Sequence, residues 1–246
     1  MAIQSGIIDS LRMEKHDIVA ILRRHLRAVI TERRAVIGHP EVAAARQALR
    51  QFQSARLANT HADLLAAKET RAAAQFFLED LYGTKDFSRR DADIERIIPT
   101  MERLLPVSAL RYIAEAIELD ALSESLDSAM ASQLGEHFTQ DDYVHAYRLV
   151  ASRAVREQQI AHVRSVGQSL AELVRRPLIG TTMVAMRSPA KLARLSELHQ
   201  FLERGYSAFR QMKKPENFVE TIVRRETEIL QNLYAGKPDP FALAPA

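Results

Sequence analysis

Apolar residues in this chain recur at three-and-four spacing, and nowhere do they alternate with β-branched enrichment over the length of a strand. Ile18, Ile21, Leu22, His25, Val29 and Ile30 show the pattern, while Arg23, Arg24, Arg27, Arg33 and Arg34 lie mostly off that stripe. A period near 3.6 builds one face of a helix, whereas a half-buried strand needs a period of two. Ala, Leu, Arg, Glu and Gln dominate, all of them good helix formers. Glycine and proline are few, eight and nine in 246 residues, and they fall where helices should begin or end. The expected fold is therefore all-α, a compact multi-helix bundle of about eight to ten helices with no sheet.

The punctuation sets the expected elements. A first helix covers 14–36 and stops at Gly38-His39-Pro40, a glycine after the last turn and a proline beyond it. A second runs from 41 into 56–66, with a break available at Thr60-His61-Ala62-Asp63. A third covers 71–82, ended by Gly83. Ser88 reads as an N-cap, with Asp91 and Asp93 as acids suited to the positive end of a helix reaching 105. Pro99 should kink that helix. Pro106 opens a helix to 134, closed by Gly135, and Thr139 caps one continuing to 174. The run 177–186 reads as a short apolar helix. Ser188-Pro189 reads as the start of a helix to 212, and Pro215-Glu216 as the start of the last, ending at Gly236. Residues 1–236 thus read as one helical domain, with 135–139 the only candidate division, and 237–246 (KPDPFALAPA) as a flexible tail.

The net charge of +3 conceals a segregated pattern. Residues 12–56 carry ten Lys and Arg against four Asp and Glu. Between Tyr112 and Tyr147 there are eight acids and no Lys or Arg. Residues 148–214 then carry thirteen basic residues against four acidic ones. Such segregation serves either a partner or the fold itself. The basic residues are spread around their helices without aromatic interleaving. This favours solvated faces, or pairing with the acidic 112–147 segment, over a nucleic-acid surface.

Several chemistries are excluded or unsupported. With no cysteine there can be no disulfide, thiolate metal site or cysteine nucleophile, and a reducing compartment suits such a chain. The opening MAIQSGIIDSLRMEK has no secretory pattern, so the expectation is a cytoplasmic protein. The apolar run 177–186 has ten residues, about half of what a bilayer needs, and reads as a buried core helix with charged ends at Arg175, Arg176 and Arg187. A di-iron bundle needs two Glu-x-x-His motifs, and the nearest approach is Asp142-x-x-His145 alone. There is no His-Glu-x-x-His, no Gly-x-Ser-x-Gly and no glycine-rich phosphate loop. No catalytic residue and no metal ligand is assigned, and whether a cofactor is bound is left open.

Residues 76–82 read FFLEDLY, followed by GTKDFSRRDAD. The stretch resembles a family of bacterial proteins known by the motif FFLEELY, with Asp80 in place of the second glutamate. The resemblance implies a bacterial source and transfers no chemistry. Phe77 with Leu81 and Leu78 with Tyr82 are i, i+4 pairs, and Phe76 widens the apolar face. Glu79 and Asp80 stand in a last turn, where the helix dipole disfavours acids by up to about 1 kcal/mol each. Arg89 and Arg90 are the nearest compensating charges in sequence. The motif is either a helix anchor tied to the next helix by ion pairs, or a carboxylate pair lining a site. Its binding candidates are Phe76, Phe77, Glu79, Asp80, Tyr82, Arg89 and Arg90.

Phe201, Gly205, Tyr206, Phe209 and Met212 form a second apolar stripe, read as core. Two functions remain from different classes. One is a non-enzymatic helical interaction or regulatory protein that binds a protein partner or itself. The other is a bundle holding a small apolar ligand or cofactor in an internal pocket near FFLEDLY, with enzymatic activity left open.

Overall fold

In the computed structural model, which describes residues 14–81 and 88–243, the helical period is realised in twelve α-helices and one π-helical turn. No strand occurs among the described residues. The helices are α1 (Lys15–Arg34), α2 (Pro40–Thr60), α3 (Ala62–Ala66) and α4 (Arg71–Phe76). A π turn over Phe77–Leu81 follows, then α5 (Ser88–Leu104), α6 (Val107–Leu134), α7 (Gln140–Val150) and α8 (Arg153–Leu173). The chain ends with α9 (Pro177–Ala185), α10 (Arg187–Leu192), α11 (Ser196–Arg210) and α12 (Pro215–Ala235).

The start and stop signals act as their chemistry requires. Pro40, Pro177 and Pro215 each occupy a first helical turn, where the missing N–H has no partner to lose. Thr139 forms a capping box: its hydroxyl accepts from the Asp142 N–H at 3.2 Å, and the Asp142 carboxylate accepts from the Thr139 N–H at 2.8 Å. Gly236 ends α12 in the left-handed region at φ +69°.

The long helix α6 is the hub, with α1, α2, α7 and α8 all packed on it. One core lies between α1, α5 and α6 around Leu22, Leu26, Ile98 and Leu110. A second joins α3, α4, α11 and α12 around Phe76, Phe209 and Val223. A third, around Leu49, Met130 and Tyr143, ties α2 and α7 to the C-terminal half of α6.

The pairing of α8 with α12 depends on Gly167. A Cβ there would lie 2.7 and 2.8 Å from the two methyls of the buried Val219. Valine is stiff at χ1, so the helices themselves must yield. Gly167→Ala is expected to destabilise the fold by about 1–3 kcal/mol in urea unfolding, despite alanine's better helix propensity. Adding Val219→Ala should recover part of the loss. No recovery would show that the close approach is not the cause.

The structure corrects the sequence expectations at five places. The third helix, expected over 71–82, does not stay α-helical through its described residues: it widens into a π turn over Phe77–Leu81. There Phe76 packs on Phe201 and Phe77 on Phe218, at ring separations of 5.4 and 6.0 Å. The helix expected over 139–174 breaks at Ala151, which is extended, and Ser152 caps α8 by accepting from the Val155 N–H. The helix expected over 189–212 breaks after α10. Arg194 takes φ +58°, and the Leu195 N–H reaches back to the Ala190 carbonyl at 2.8 Å, a Schellman closure with arginine where glycine is usual.

The apolar helix α9 is not buried core. None of its residues is buried, Leu178 is 75% exposed, and only Ile179 and Met183 lean on the core. Over 237–243 the tail lies against the bundle: the Asn232 amide donates to the carbonyls of Pro240 and Ala242, and Phe241 joins the Phe52 and Tyr143 rings. Finally, Asp91 is more than a helix-start acid. It is 1% exposed and forms ion pairs with Arg33 and Arg90.

Candidate functional site

The segregated charges meet inside the bundle. From α6, Asp120 and Glu124 project toward arginines supplied by α1, α2 and α5. Arg33 pairs with Asp91, with Asp120 at 2.7 Å and with Glu124 at 3.1 Å. Arg46 pairs with Glu124 and also donates to the Glu32 carbonyl at 2.8 Å. Arg50 reaches Glu124 at 2.8 Å, and Arg90 reaches Asp120 at 2.7 Å. Burial pushes the Glu124 carboxyl up, but the charges of Arg50, Arg33 and Arg46 outweigh it and hold the group below its ordinary range. Burial wins at Asp120, whose carboxyl is raised despite Arg33 and Arg90. Three of the ten basic residues of 12–56, Arg33, Arg46 and Arg50, thus meet Asp120 and Glu124 of the acidic 112–147 segment within one fold.

Beside this network lie two adjoining cavities of about 150 and 110 Å³. Gln53, Phe77, Ser123, Asp127 and Val163 line both, so these side chains form the partition. Gln53 donates to Asp127 at 3.0 Å, and Gln159 donates to Ser123 at 2.9 Å. The larger cavity borders the ion network at Arg50, Arg90 and Asp120.

The smaller cavity is bounded by α2, α6, α7, α8 and α12, with apolar walls that include Leu57, Ile160 and Ile222. Its charges are arranged in two groups. In one, both oxygens of the Glu226 carboxylate accept from Arg56 at 2.6 Å, and one of them also accepts from His61 Nε2 at 3.1 Å. Burial raises the Glu226 carboxyl, but the Arg56 charge and the hydrogen bonds from His61 and Arg56 bring it down to about 2. In the other, the Arg156 guanidinium stacks on the Tyr147 ring at 3.9 Å, donates to Gln159 at 3.4 Å and lies 3.2 Å from the Met130 sulfur. Buried nitrogens without a hydrogen-bond partner remain on Arg56 (Nε), His61 (Nδ1) and Arg156 (Nε). Buried donors without partners are uncommon and call for an explanation.

Of the sequence candidates, Phe77 and Arg90 come together at the larger cavity. Phe76 is buried behind them, with Phe201 on one side and Gly205 on the other, where a Cβ would meet its ring at 2.8 Å. Glu79 is exposed and lines neither cavity. Tyr82 and the side chains of Asp80 and Arg89 lie outside the described residues. The sequence did not single out Arg156, Gln53, Asp127 or the Arg56, His61 and Glu226 group. Gln53 meets Asp127 across 74 positions and Arg56 meets Glu226 across 170, and only the opposed charge of 12–56 and 112–147 hinted at long-range pairing.

Among the described residues no group of three or more His, Asp or Glu is placed to hold a metal ion. None of the described helices is long and apolar enough to cross a membrane.

Fold and site together define an all-α bundle organised on one long helix, with a charged, partly apolar cavity beside a buried ion network. The chain belongs to the family described as a domain of unknown function, DUF8198, which matches residues 32–240. No curated protein and no solved structure matches it.

Proposed function

We propose that this protein is a non-enzymatic small-molecule-binding bundle, with its ligand held in the cavity pair partitioned by Phe77. The observation that carries this reading is the coincidence of internal space with buried nitrogens that lack a partner, Nε of Arg56 and Arg156 and Nδ1 of His61. An apolar cavity of about 150 Å³ accepts a benzene-sized body, so the larger compartment is of ligand scale, and the smaller adds about 110 Å³ beside it. Polar groups converging in an otherwise apolar pocket are what fixes a ligand's orientation. The π turn supports the same reading, since such turns are frequent at functional sites and this one carries Phe77 into the partition. The likeness of 76–82 to the FFLEELY motif supports a place in that bacterial group, and a chain without cysteine suits a reducing cytoplasm.

Native mass spectrometry of freshly purified protein, compared with its denatured mass, tests the reading. A small added mass that is lost on denaturation is expected. Val163→Phe fills the partition from α8 and should abolish that mass while the circular dichroism of the bundle is kept. Retention of the same mass in a folded Val163→Phe variant would place the ligand elsewhere.

A second reading, an interaction protein, is favoured by the outer face of α9 and α10, where Leu178 and Leu192 are 75% and 87% exposed. It predicts a bare chain or a multiple of its mass in the same spectrum.

A further inference from the structure

We infer that the ligand of the smaller cavity is an organic monocarboxylate with a compact apolar body, and that Arg156 receives its carboxylate. The inference rests on the reading of the cavity as a ligand site and adds the ligand's chemical class.

Arg156 is 3% exposed, yet no carboxylate of the described residues lies within ion-pair distance of it. Its recorded contacts are the Tyr147 ring, the Gln159 amide oxygen, the Met130 sulfur and a position near the Tyr234 hydroxyl. All of these are neutral, and Nε has no partner. Burying a cation without a counter-ion is costly, and proteins normally pair such groups or leave them wet. Every other buried arginine of this interior meets a carboxylate: Arg33, Arg46 and Arg90 in the α6 network, and Arg56 at Glu226. Arg156 is the exception, and it lines a cavity.

The neighbouring acids do not supply the missing charge. Glu226 is already matched by Arg56 and His61. Asp127 feels the Arg156 charge but makes no ion pair with it: its carboxylate accepts from Gln53, and burial raises it. Among the described residues, Arg156 is therefore the one guanidinium lining this cavity without an ion pair, and it stands among Leu57, Ile160, Ile222 and other apolar walls. One guanidinium edge matches one planar carboxylate, the geometry in which arginine binds most strongly. A dianion such as phosphate would bring a second charge toward Glu226, with no second unpaired arginine among the described lining residues to meet it. A volume of about 110 Å³ admits an apolar body near the size of one small ring or a short branched chain.

Titration calorimetry of the full chain with benzoate, its neutral analogue benzyl alcohol and inorganic phosphate tests the inference. Wild type should bind benzoate more tightly than benzyl alcohol, and phosphate not measurably. Arg156→Gln should weaken benzoate by about tenfold or more, the scale of one charged hydrogen bond, and leave benzyl alcohol within about twofold. Arg156→Lys keeps the charge without the planar edge, so it should show a smaller loss for benzoate. It also preserves the test if the glutamine variant fails to fold. Equal binding of benzoate and benzyl alcohol, or benzoate binding unchanged in both variants, overturns the carboxylate assignment and leaves the cavity reading standing. Preferential binding of phosphate overturns it also. If no organic probe binds and the native spectrum shows no retained mass, both readings fall together.

Discussion

Glu124→Gln is expected to lower the stability of the fold by about 3–5 kcal/mol, a fall in melting temperature of about 10 °C for a chain of this size. The side chain keeps its shape but loses the charge that three arginines share. Arg33 retains Asp91 and Asp120, so it is not stranded. Arg50 is partly exposed and can turn to water. Arg46 has neither escape. It is 5% exposed, its Nε already lacks a partner, and Glu124 is its only carboxylate among the described residues. Most of the expected loss is therefore the cost of leaving one guanidinium buried beside a neutral amide. Arg50→Met serves as the control and should change stability by less than about 1 kcal/mol, since a half-wet arginine gains little from its ion pair. Urea unfolding of both variants checks the pair, and equal losses would show that burial of the arginine does not decide the cost.

The second large effect depends on pH. The Glu226 carboxyl lies near 2 in the folded chain, below its ordinary value of 4.5. A depressed acid stabilises the fold above its unfolded pKa, and that contribution is lost as pH falls through the folded pKa. The window is therefore about pH 4.5 down to about 2, and the contribution above it is on the order of 3 kcal/mol. Glu226→Gln should accordingly be destabilised relative to wild type at pH 7, with the difference shrinking markedly by pH 3. Comparing the two chains at each pH cancels the opposite behaviour of Asp120 and Asp127, whose carboxyls burial raises. A gap that stays constant from pH 7 to pH 3 would mean that the loss comes from packing rather than from the charge Glu226 shares with Arg56 and His61.

Helix identity was legible where the backbone itself is constrained. Proline at a first turn, the Thr139 capping box and glycine at Gly135 and Gly236 set local geometry whatever the rest of the chain does. Breaks that depend on partners were hidden. The Arg194 closure uses a residue that rarely takes positive φ, and the carbonyl of Arg194 is held by Arg96, 98 positions away. The π turn at Phe77 keeps the same i, i+4 apolar pairs that an α-helix would show. At the site, Phe77 and Arg90 were within reach because a motif drew attention to them. Arg156 was not, because in a basic segment it looks like its neighbours. Its distinction is that no carboxylate among the described residues forms an ion pair with it, which no local pattern encodes. The charge blocks were visible, and what they lacked was the knowledge that α6 carries its acids inward.

That arrangement has a consequence for how the protein is made. Arg33 and Arg46 meet Glu124 across 91 and 78 residues of chain. At roughly 5–20 residues added per second, the ribosome extrudes α1 and α2 on the order of ten seconds before the partner that completes them. During that interval their arginines remain hydrated, and the apolar faces of Leu22, Leu26 and Leu49 have no hub to close on. The N-terminal helices are thus held in waiting until α6 emerges, and the nascent chain passes through an exposed, positively charged stage next to ribosomal RNA before it can collapse.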